Sequence, residues 1–261
     1  MKAAASVAYS LFAYALFLMT VLYAVGFVGN IAVPKSIDTG IATSLGEAIL
    51  VNMLLLGLFA VQHSVMARPA FKRWSARFVP PQVERSTFVL CANLTLLLLY
   101  WQWRPMPGTI WNVADSALGF VLTALFWFGW ALLLISTFLI NHFELFGLKQ
   151  VFARVFGWPA AAPTFKSPGL YRLVRHPIYL GFLCAFWFTP HMTAGHLLFA
   201  LATTGYILIG IQLEERDLID VFGDQYRRYR ERVGMLLPLP RRKAVHLDGE
   251  REAAPASGHV G

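Results

Sequence analysis

The sequence predicts an all-α, polytopic membrane helical bundle, and three observations carry that prediction. Hydrophobic side chains make up 57% of the 261 residues and charged ones only 14%, well below the ~25% charged content usual in soluble domains. The apolar residues fall mostly in runs of about twenty, the length a helix needs to cross a ~30 Å hydrocarbon core. The Lys and Arg residues behind the net charge of +8 gather in some loops and avoid others. A charge of that sign raises nucleic acid as a partner. Basic residues confined to loops between apolar runs point to a lipid bilayer instead, and no nucleic-acid partner is expected.

Taken in order, the first run covers about Val7–Phe27. The whole apolar stretch is too long for the core of a signal peptide, and only Lys2 precedes it, so a retained span is expected. The second covers about Leu45–Val65 and ends in Gln62-His63-Ser64. A basic segment, Arg68 to Arg85, holds five Lys/Arg against Glu84 alone. It reads as a lipid-facing anchor, with Arg85 and the adjacent Glu84 as a structural pair. The third run covers about Ser86–Trp103 and the fourth about Ala117–Ile140. A long connector, 141–176, follows, and its length favours function over idle linkage.

From Ile178 the apolar pattern forms a hairpin broken at Thr189-Pro190-His191. The arm 178–189 is roughly 18–20 Å long at ~1.5 Å per residue, short of a full bilayer, whereas Ala194–Leu213 is long enough to span. Six membrane helices are expected, five if the short arm is not counted. Segments 66–86, 141–176 and 214–243 carry five, five and eight Lys/Arg, against one each in 29–46 and 104–116. That alternation puts both termini in the cytoplasm under the positive-inside rule. The polar stretch 224–233 reads as an amphipathic cytoplasmic helix after a break at Gly223. Residues 1–240 are expected to form one membrane domain, with 241–261 as a disordered tail. Cys91 and Cys184 lie inside apolar runs and form no disulfide pattern.

The stretch with most chemistry is 169–181. Arg172, Arg175 and His176 come directly before Pro177, which suits a first helical position. Tyr171 and Tyr179 flank them. One reading is an interfacial anchor of basic and aromatic residues. The other is half of a site, because Glu214 and Glu215 end the returning arm of the hairpin on the same face. Arg175 and Glu215 either pair with each other or grip a zwitterionic ligand, which needs a group of each sign.

The ordered set Arg175-His176-Pro177-x-Tyr179-x-Gly181, Glu214-Glu215-x-x-Leu218, Gly223-x-x-Tyr226-x-x-Tyr229 and Pro238 resembles the isoprenylcysteine carboxyl methyltransferase and phospholipid methyltransferase superfamily over about residues 166–240. Gln62-His63-Ser64, Glu84-Arg85 and Asn141-His142-Phe143-x-Leu145-Phe146-Gly147 resemble a bacterial branch related to NnrU membrane proteins, and within it the methanethiol S-methyltransferases. The resemblance implies a bacterial inner-membrane enzyme that uses S-adenosylmethionine, with S-adenosylhomocysteine as product, to convert the volatile thiol methanethiol to dimethyl sulfide. It implies that Tyr171, Arg175, His176 and Tyr179 line the cofactor pocket in the part 141–240, that Glu214 and Glu215 hold the cofactor's polar groups, and that Tyr226 helps close it. Two alternatives remain: another acceptor (a different thiol, a prenylcysteine carboxylate or a lipid), or a non-enzymatic accessory protein like the NnrU relatives. No glycine-rich dinucleotide loop is present.

Methylating a thiol requires alignment of sulfur, methyl and leaving group, and somewhere for the thiol proton to go. Three histidines are candidate acceptors: His63 and His142, each at the expected cytoplasmic end of a span, and His176, which reads rather as a cofactor ligand than a base. The plain alternatives are an interfacial histidine for His63 and, for His142, a helix-terminal histidine at the negative end of the dipole. Glu144 and Gln150 join the candidate catalytic set; Gln150 and Asn141 either orient the substrate or satisfy loop backbone. His191 and His196 fall at the opposite face and read as structural. His63, His142 and Glu144 lack a diagnostic metal spacing, so no metal is expected.

Overall fold

The computed structural model describes residues 3–159 and 164–238. Its helices are α1 (Ala3–Gly29), α2 (Leu45–Ala67), α3 (Pro69–Ser75), α4 (Glu84–Gln102), α5 (Ala117–Ile140), α6 (His142–Leu145), α7 (Leu148–Phe156), α8 (Pro177–Trp187), α9 (Ala194–Phe222) and α10 (Asp224–Arg232). Two short strands, β1 (Thr109–Asn112) and β2 (His191–Thr193), pair antiparallel. Among the described residues, five helices are long and apolar enough to cross a membrane: α1, α2, α4, α5 and α9. The all-α bundle expected from the sequence is present, and α8 is the short arm. The expected tail 241–261 lies outside the described residues.

Local chemistry sets the helix starts. Ser44 caps α2 by accepting the Glu47 N–H at 3.3 Å, Ser116 caps α5 through the Gly119 N–H at 3.2 Å, and Thr193 caps α9 through the His196 N–H at 3.1 Å. Pro177 opens α8, where its missing N–H is no loss. Apolar side chains such as Leu22, Leu54, Phe120 and Phe138 point outward, as they must where the solvent is hydrocarbon. The inner core gathers Phe27, Leu99, Tyr100, Trp103, Trp130, Phe186 and Phe199.

The cross-helix hydrogen bonds sort the helix ends into two groups. At one end, the start of α1 meets the start of α4 (Ser86 Oγ to Ser10 Oγ, 2.8 Å), the end of α2 is tied to the last turns of α9 (Arg68 to Asp217, 3.3 Å), and the end of α5 meets the turn before α8. At the other end, Trp103 donates to the Ile37 carbonyl, Asn52 brackets Arg104, and Thr193 donates to Asp38. The three basic loops therefore share one end of the bundle. The short arm also passes from one end to the other. After Trp187 it continues in extended form to β2, which pairs with β1 at the far end.

Two glycines let α8 lie against α5 backbone to backbone. A Cβ on Gly129 would come within 2.6 Å of the Ala185 nitrogen, and one on Gly181 within 2.7 Å of the Gly129 oxygen. This contact fixes the depth of α8. Gly181 faces Gly129 and Leu133, so α8 begins about one and a half turns inside the end of α5. The cationic stretch before Pro177 is therefore sunk below the rim of the bundle.

The long connector contains two helices that the hydrophobic pattern did not resolve. Gly147, at φ +89°, turns the chain from α6 into α7 against Ser86, whose Oγ would lie 2.6 Å from an added Cβ. The expected Glu84–Arg85 pair is not formed. Glu84 faces Lys72 at 3.8 Å, while Arg85 donates to the Leu145 carbonyl at 2.7 Å and sits 5.0 Å over the Phe88 ring. Successive residues at a helix start point in different directions, so adjacency in sequence is no guide to pairing.

Candidate active site

The sunken start of α8 meets the last third of α9. Arg175 donates through Nε to Glu215 Oε1 at 2.7 Å, and its Nη2 lies 2.7 Å from the same oxygen. His176 Nε2 is 3.1 Å from that oxygen, and Arg230 Nε is 3.6 Å from the other. Both side chains of the Arg175–Glu215 pair are almost wholly enclosed, at 3% and 10% exposure. A pair this buried adds little by itself, because desolvation offsets the attraction; breaking it strands a charge. Of the two roles open to Arg175 and Glu215 in the sequence, the structure joins them to each other.

That pair also anchors a strap. Arg175 Nη1 donates to the carbonyls of Arg230 at 3.0 Å and Val233 at 2.6 Å. The chain after α10 runs alongside residues 174–176: the Arg175 N–H donates to Gly234 O at 2.8 Å and the His176 N–H to Met235 O at 3.1 Å. The Tyr229 hydroxyl donates to the Tyr171 carbonyl, and the Tyr171 hydroxyl donates to Ser136 O at 3.3 Å. Tyr226 is 2% exposed, and its ring and that of Tyr229 pack against Phe165. Burial and the nearby Glu215 carboxylate push the Tyr229 hydroxyl up to about 12, so it remains a donor at neutral pH.

Glu214 differs from its neighbour. Its side chain is 46% exposed and accepts the Tyr179 hydroxyl at 2.9 Å. His176 Nδ1 lies 3.9 Å away. Tyr206, Gly210 and Glu214 are spaced four apart and share one face of α9. A Cβ on Gly210 would meet only the Tyr179 hydroxyl, at 4.0 Å. This face is an open strip that leads from Glu214 to Tyr206.

His63 stands at the far end of the strip. Its ring packs on Phe88 at 4.7 Å, on Phe59 at 5.3 Å and on Tyr206 at 6.4 Å, and Ser64 donates to the Tyr206 hydroxyl at 3.4 Å. His63 Nδ1 is buried and has no hydrogen-bond partner among the described residues. His63 Nδ1 thus lies inside the bundle, while its ring shares Phe88 with Arg85 at the end of the basic segment.

His142 has a different setting. Its Nε2 is 2.8 Å from the Tyr14 hydroxyl and its Nδ1 is 2.9 Å from Thr137 Oγ1, so both ring nitrogens are engaged. Thr137 donates its own proton to Leu134 O at 2.7 Å, which leaves its oxygen to accept from Nδ1–H. The ring stacks on Phe138 at 4.2 Å, and burial holds its pKa below the ordinary histidine value. Glu144 is held at the surface by Lys149 at 2.7 Å and by Asn141. Gln150 donates to the Glu144 carbonyl at 3.0 Å, while its Oε1 is buried without a partner among the described residues. No group of three His, Cys, Asp or Glu among the described residues is close enough to hold a metal.

The cluster at 171–179 and 214–230 is one assembly. His63 joins it along the α9 strip, whereas His142 and Glu144 on α6 and Gln150 on α7 lie apart from it, with His142 against Tyr14 of α1. Sequence reasoning passed over Tyr206, Gly210 and Arg230. The four-residue spacing back from Glu214 is the signal that points to Tyr206 and Gly210.

The chain is 58% identical over 242 residues to a methanethiol S-methyltransferase of Mycobacterium tuberculosis, covering 93% of this chain and 99% of the relative. It is 59% identical over 233 residues to methanethiol S-methyltransferase 1 of Bradyrhizobium diazoefficiens, covering 89% and 82%. More distantly, it is 35% identical over 180 residues to Nurim of Mus musculus, covering 64% and 66%. No protein-family model and no solved structure matches the chain.

Proposed function

This chain belongs to the methanethiol S-methyltransferase family, and from that membership we propose that it methylates methanethiol with S-adenosylmethionine at the basic end of the bundle. Positive-inside charge supports placing that end, and both termini, in the cytoplasm of a bacterial inner membrane. The observation that carries the site assignment is the pairing of an occupied carboxylate with an open one. Glu215 is consumed by Arg175 and His176, while Glu214 beside it stays half-exposed on the strip. An ammonium group needs such an acceptor, and His176 and Arg230 beside it would offset a carboxylate, so the donor set fits an amino-acid-like cofactor end.

Glu214, oriented by Tyr179, would hold the ammonium. The 233–235 strap, pinned by Arg175, holds the α10 side of the site, with Tyr226 buried beneath it. When bound, S-adenosylmethionine would supply an electrophilic methyl carbon on a sulfonium for in-line transfer to the thiol sulfur, with S-adenosylhomocysteine as the leaving group. His63 accepts the thiol proton at the unpartnered Nδ1 and later releases it to water. Even a cysteine thiol, with a pKa of about 8.5, is mostly protonated at neutral pH, and a simple alkyl thiol is no easier to ionise, so a positioned acceptor raises the thiolate share. The rings of Phe59, Phe88 and Tyr206 wall that end, which suits a small apolar substrate. His142, with both nitrogens occupied, buttresses the junction of α1, α5 and α6.

The test gives membranes carrying the protein S-adenosylmethionine labelled in its methyl group, with methanethiol, a prenylcysteine or phosphatidylethanolamine as acceptor. Label in dimethyl sulfide in the headspace, above that from empty-vector membranes, is expected with methanethiol only. Label in the prenyl or lipid product alone would move the assignment to that acceptor.

A further inference from the structure

Beside the strap lies a groove whose lining residues have no role in the reaction proposed above. It has a volume of about 340 Å³ and is lined by Phe165, Arg172, Gln225, Arg228, Tyr229 and Arg232, with Ser167 and Val233 at its edges. Three arginines line it, and no Asp or Glu does among the described residues. Arg172 is oriented by a 3.3 Å bond from Nε to the Ser167 carbonyl. Arg228 and Arg232 are one turn apart on α10, and neither forms an ion pair among the described residues.

Two cations four residues apart on one helix face repel each other by a few tenths of a kcal/mol. Only Arg232, in the last turn of α10, regains part of that through the helix dipole. The dipole accounts for basic residues on the last turns. It does not account for a third arginine, from the separate segment before α8, that converges on the same hollow. Guanidinium forks match phosphate oxygens two at a time, and a hollow of this size holds a phosphate with its ester substituent.

We propose that this groove binds a phosphate-bearing anion, and that its occupancy steadies the strap that closes the cofactor site. The wall residues make the link. Tyr229 lines the groove and donates to the Tyr171 carbonyl; Val233 lines it and presents its carbonyl to Arg175 at 2.6 Å. An anion that draws Arg228 and Arg232 toward Arg172 holds α10, and with it Val233 and Gly234, against residues 174–176. The anion site rests on the groove alone; its coupling to the cofactor rests on the function proposed above. The phosphate comes either from an anionic lipid headgroup or from a soluble phosphate ester.

The experiment uses the full chain in mixed micelles. Calorimetry measures S-adenosylhomocysteine binding with phosphatidylcholine, with phosphatidylglycerol, and with phosphatidylcholine plus inorganic phosphate or glycerol phosphate. Thermal unfolding followed by tryptophan fluorescence measures the anion effect without any nucleoside, so anion binding is read even if S-adenosylhomocysteine does not bind. Phosphatidylglycerol, soluble phosphate or both should raise the melting temperature and tighten S-adenosylhomocysteine about fivefold or more, the lower range for coupled sites. An effect of phosphatidylglycerol alone identifies the lipid as the source; an effect of soluble phosphate alone identifies the ester. The double substitution Arg228→Gln/Arg232→Gln should abolish both effects and leave binding in phosphatidylcholine as in the unsubstituted protein. Arg73→Gln/Arg77→Gln, which removes equal charge from the α3 region, should leave the effects intact. The proposal fails if no anion changes melting, if the α10 double variant keeps the response, or if the α3 variant loses it equally. It also fails if the α10 variant weakens S-adenosylhomocysteine in phosphatidylcholine, which would make the groove part of the cofactor site itself.

Discussion

Replacing Glu215 with glutamine changes one carboxylate oxygen to an amide nitrogen, yet it should disable the cofactor site. In the native arrangement one Glu215 oxygen receives Arg175 Nε and Nη2, both at 2.7 Å, and His176 at 3.1 Å. With Arg175 only 3% exposed, the amide leaves a guanidinium buried without its counter-charge. Losing one partner of such a pair costs ~3–5 kcal/mol, comparable to a large share of the stability of a typical domain. The same guanidinium holds the Arg230 and Val233 carbonyls, so the strap should loosen with it. Two assays follow the two effects. Limited trypsin digestion of detergent-solubilised protein should cut after Arg230 or Arg232 faster than in the unsubstituted chain. S-adenosylhomocysteine binding by calorimetry should weaken by about a hundredfold, ~2.7 kcal/mol. A Glu215→Gln protein that resists trypsin normally and binds S-adenosylhomocysteine normally would refute the scaffold role given to this pair.

Glu214→Gln should separate binding from stability. Its carboxylate is half-exposed, so melting should change by less than ~1 kcal/mol, while S-adenosylhomocysteine binding falls about tenfold or more with loss of a charge-assisted bond worth ~1.5–3 kcal/mol. His142 should add a pH-dependent contribution to stability. Its folded pKa is lowered from 6.5 by burial, so the unfolded chain takes up the proton first. The contribution is complete above pH 6.5 and is lost as pH falls from there through the folded value. His142→Gln should be less stable at pH 7.5 and show a flatter decline of melting temperature below pH 6.5; an unchanged decline would mean His142 is not held neutral. Gly181→Ala should cost ~1–3 kcal/mol through overpacking, because its Cβ would sit 2.7 Å from the Gly129 oxygen. A melting curve unchanged by that substitution would show that α5 and α8 do not touch backbone to backbone.

The bundle was legible because a bilayer imposes simple demands: runs near twenty residues, loop charges on alternating sides, Pro177 at a helix start. The Arg175–Glu215 meeting was legible because a hairpin brings its two ends together. Three features were not. The sunken position of α8 depends on Gly129, far away in sequence, which carries no signal of its partner. His63 and His142 look alike in sequence, each at a span end beside polar residues. Only the hydroxyls of Tyr14 and Thr137, which saturate one ring, and the rings of Phe59, Phe88 and Tyr206, which leave the other unsaturated, tell them apart. Glu214 and Glu215 are adjacent, and a helix turns neighbours by about 100°, so one faces Arg175 and the other the open strip. The sequence presents the pair as one motif; the structure separates a buried carboxylate paired with Arg175 from a half-exposed one bonded to Tyr179.

The two-part site is tested most directly by running His63→Ala through binding and turnover side by side. Calorimetry with S-adenosylhomocysteine and headspace chromatography of dimethyl sulfide are done on the same preparation. The expected result is a normal cofactor isotherm with dimethyl sulfide production down by about a hundredfold, the low end for loss of a positioned proton acceptor plus its alignment. Full production of dimethyl sulfide by His63→Ala, or loss of S-adenosylhomocysteine binding along with it, would contradict the division of cofactor and acceptor between the α8–α10 cluster and the end of α2.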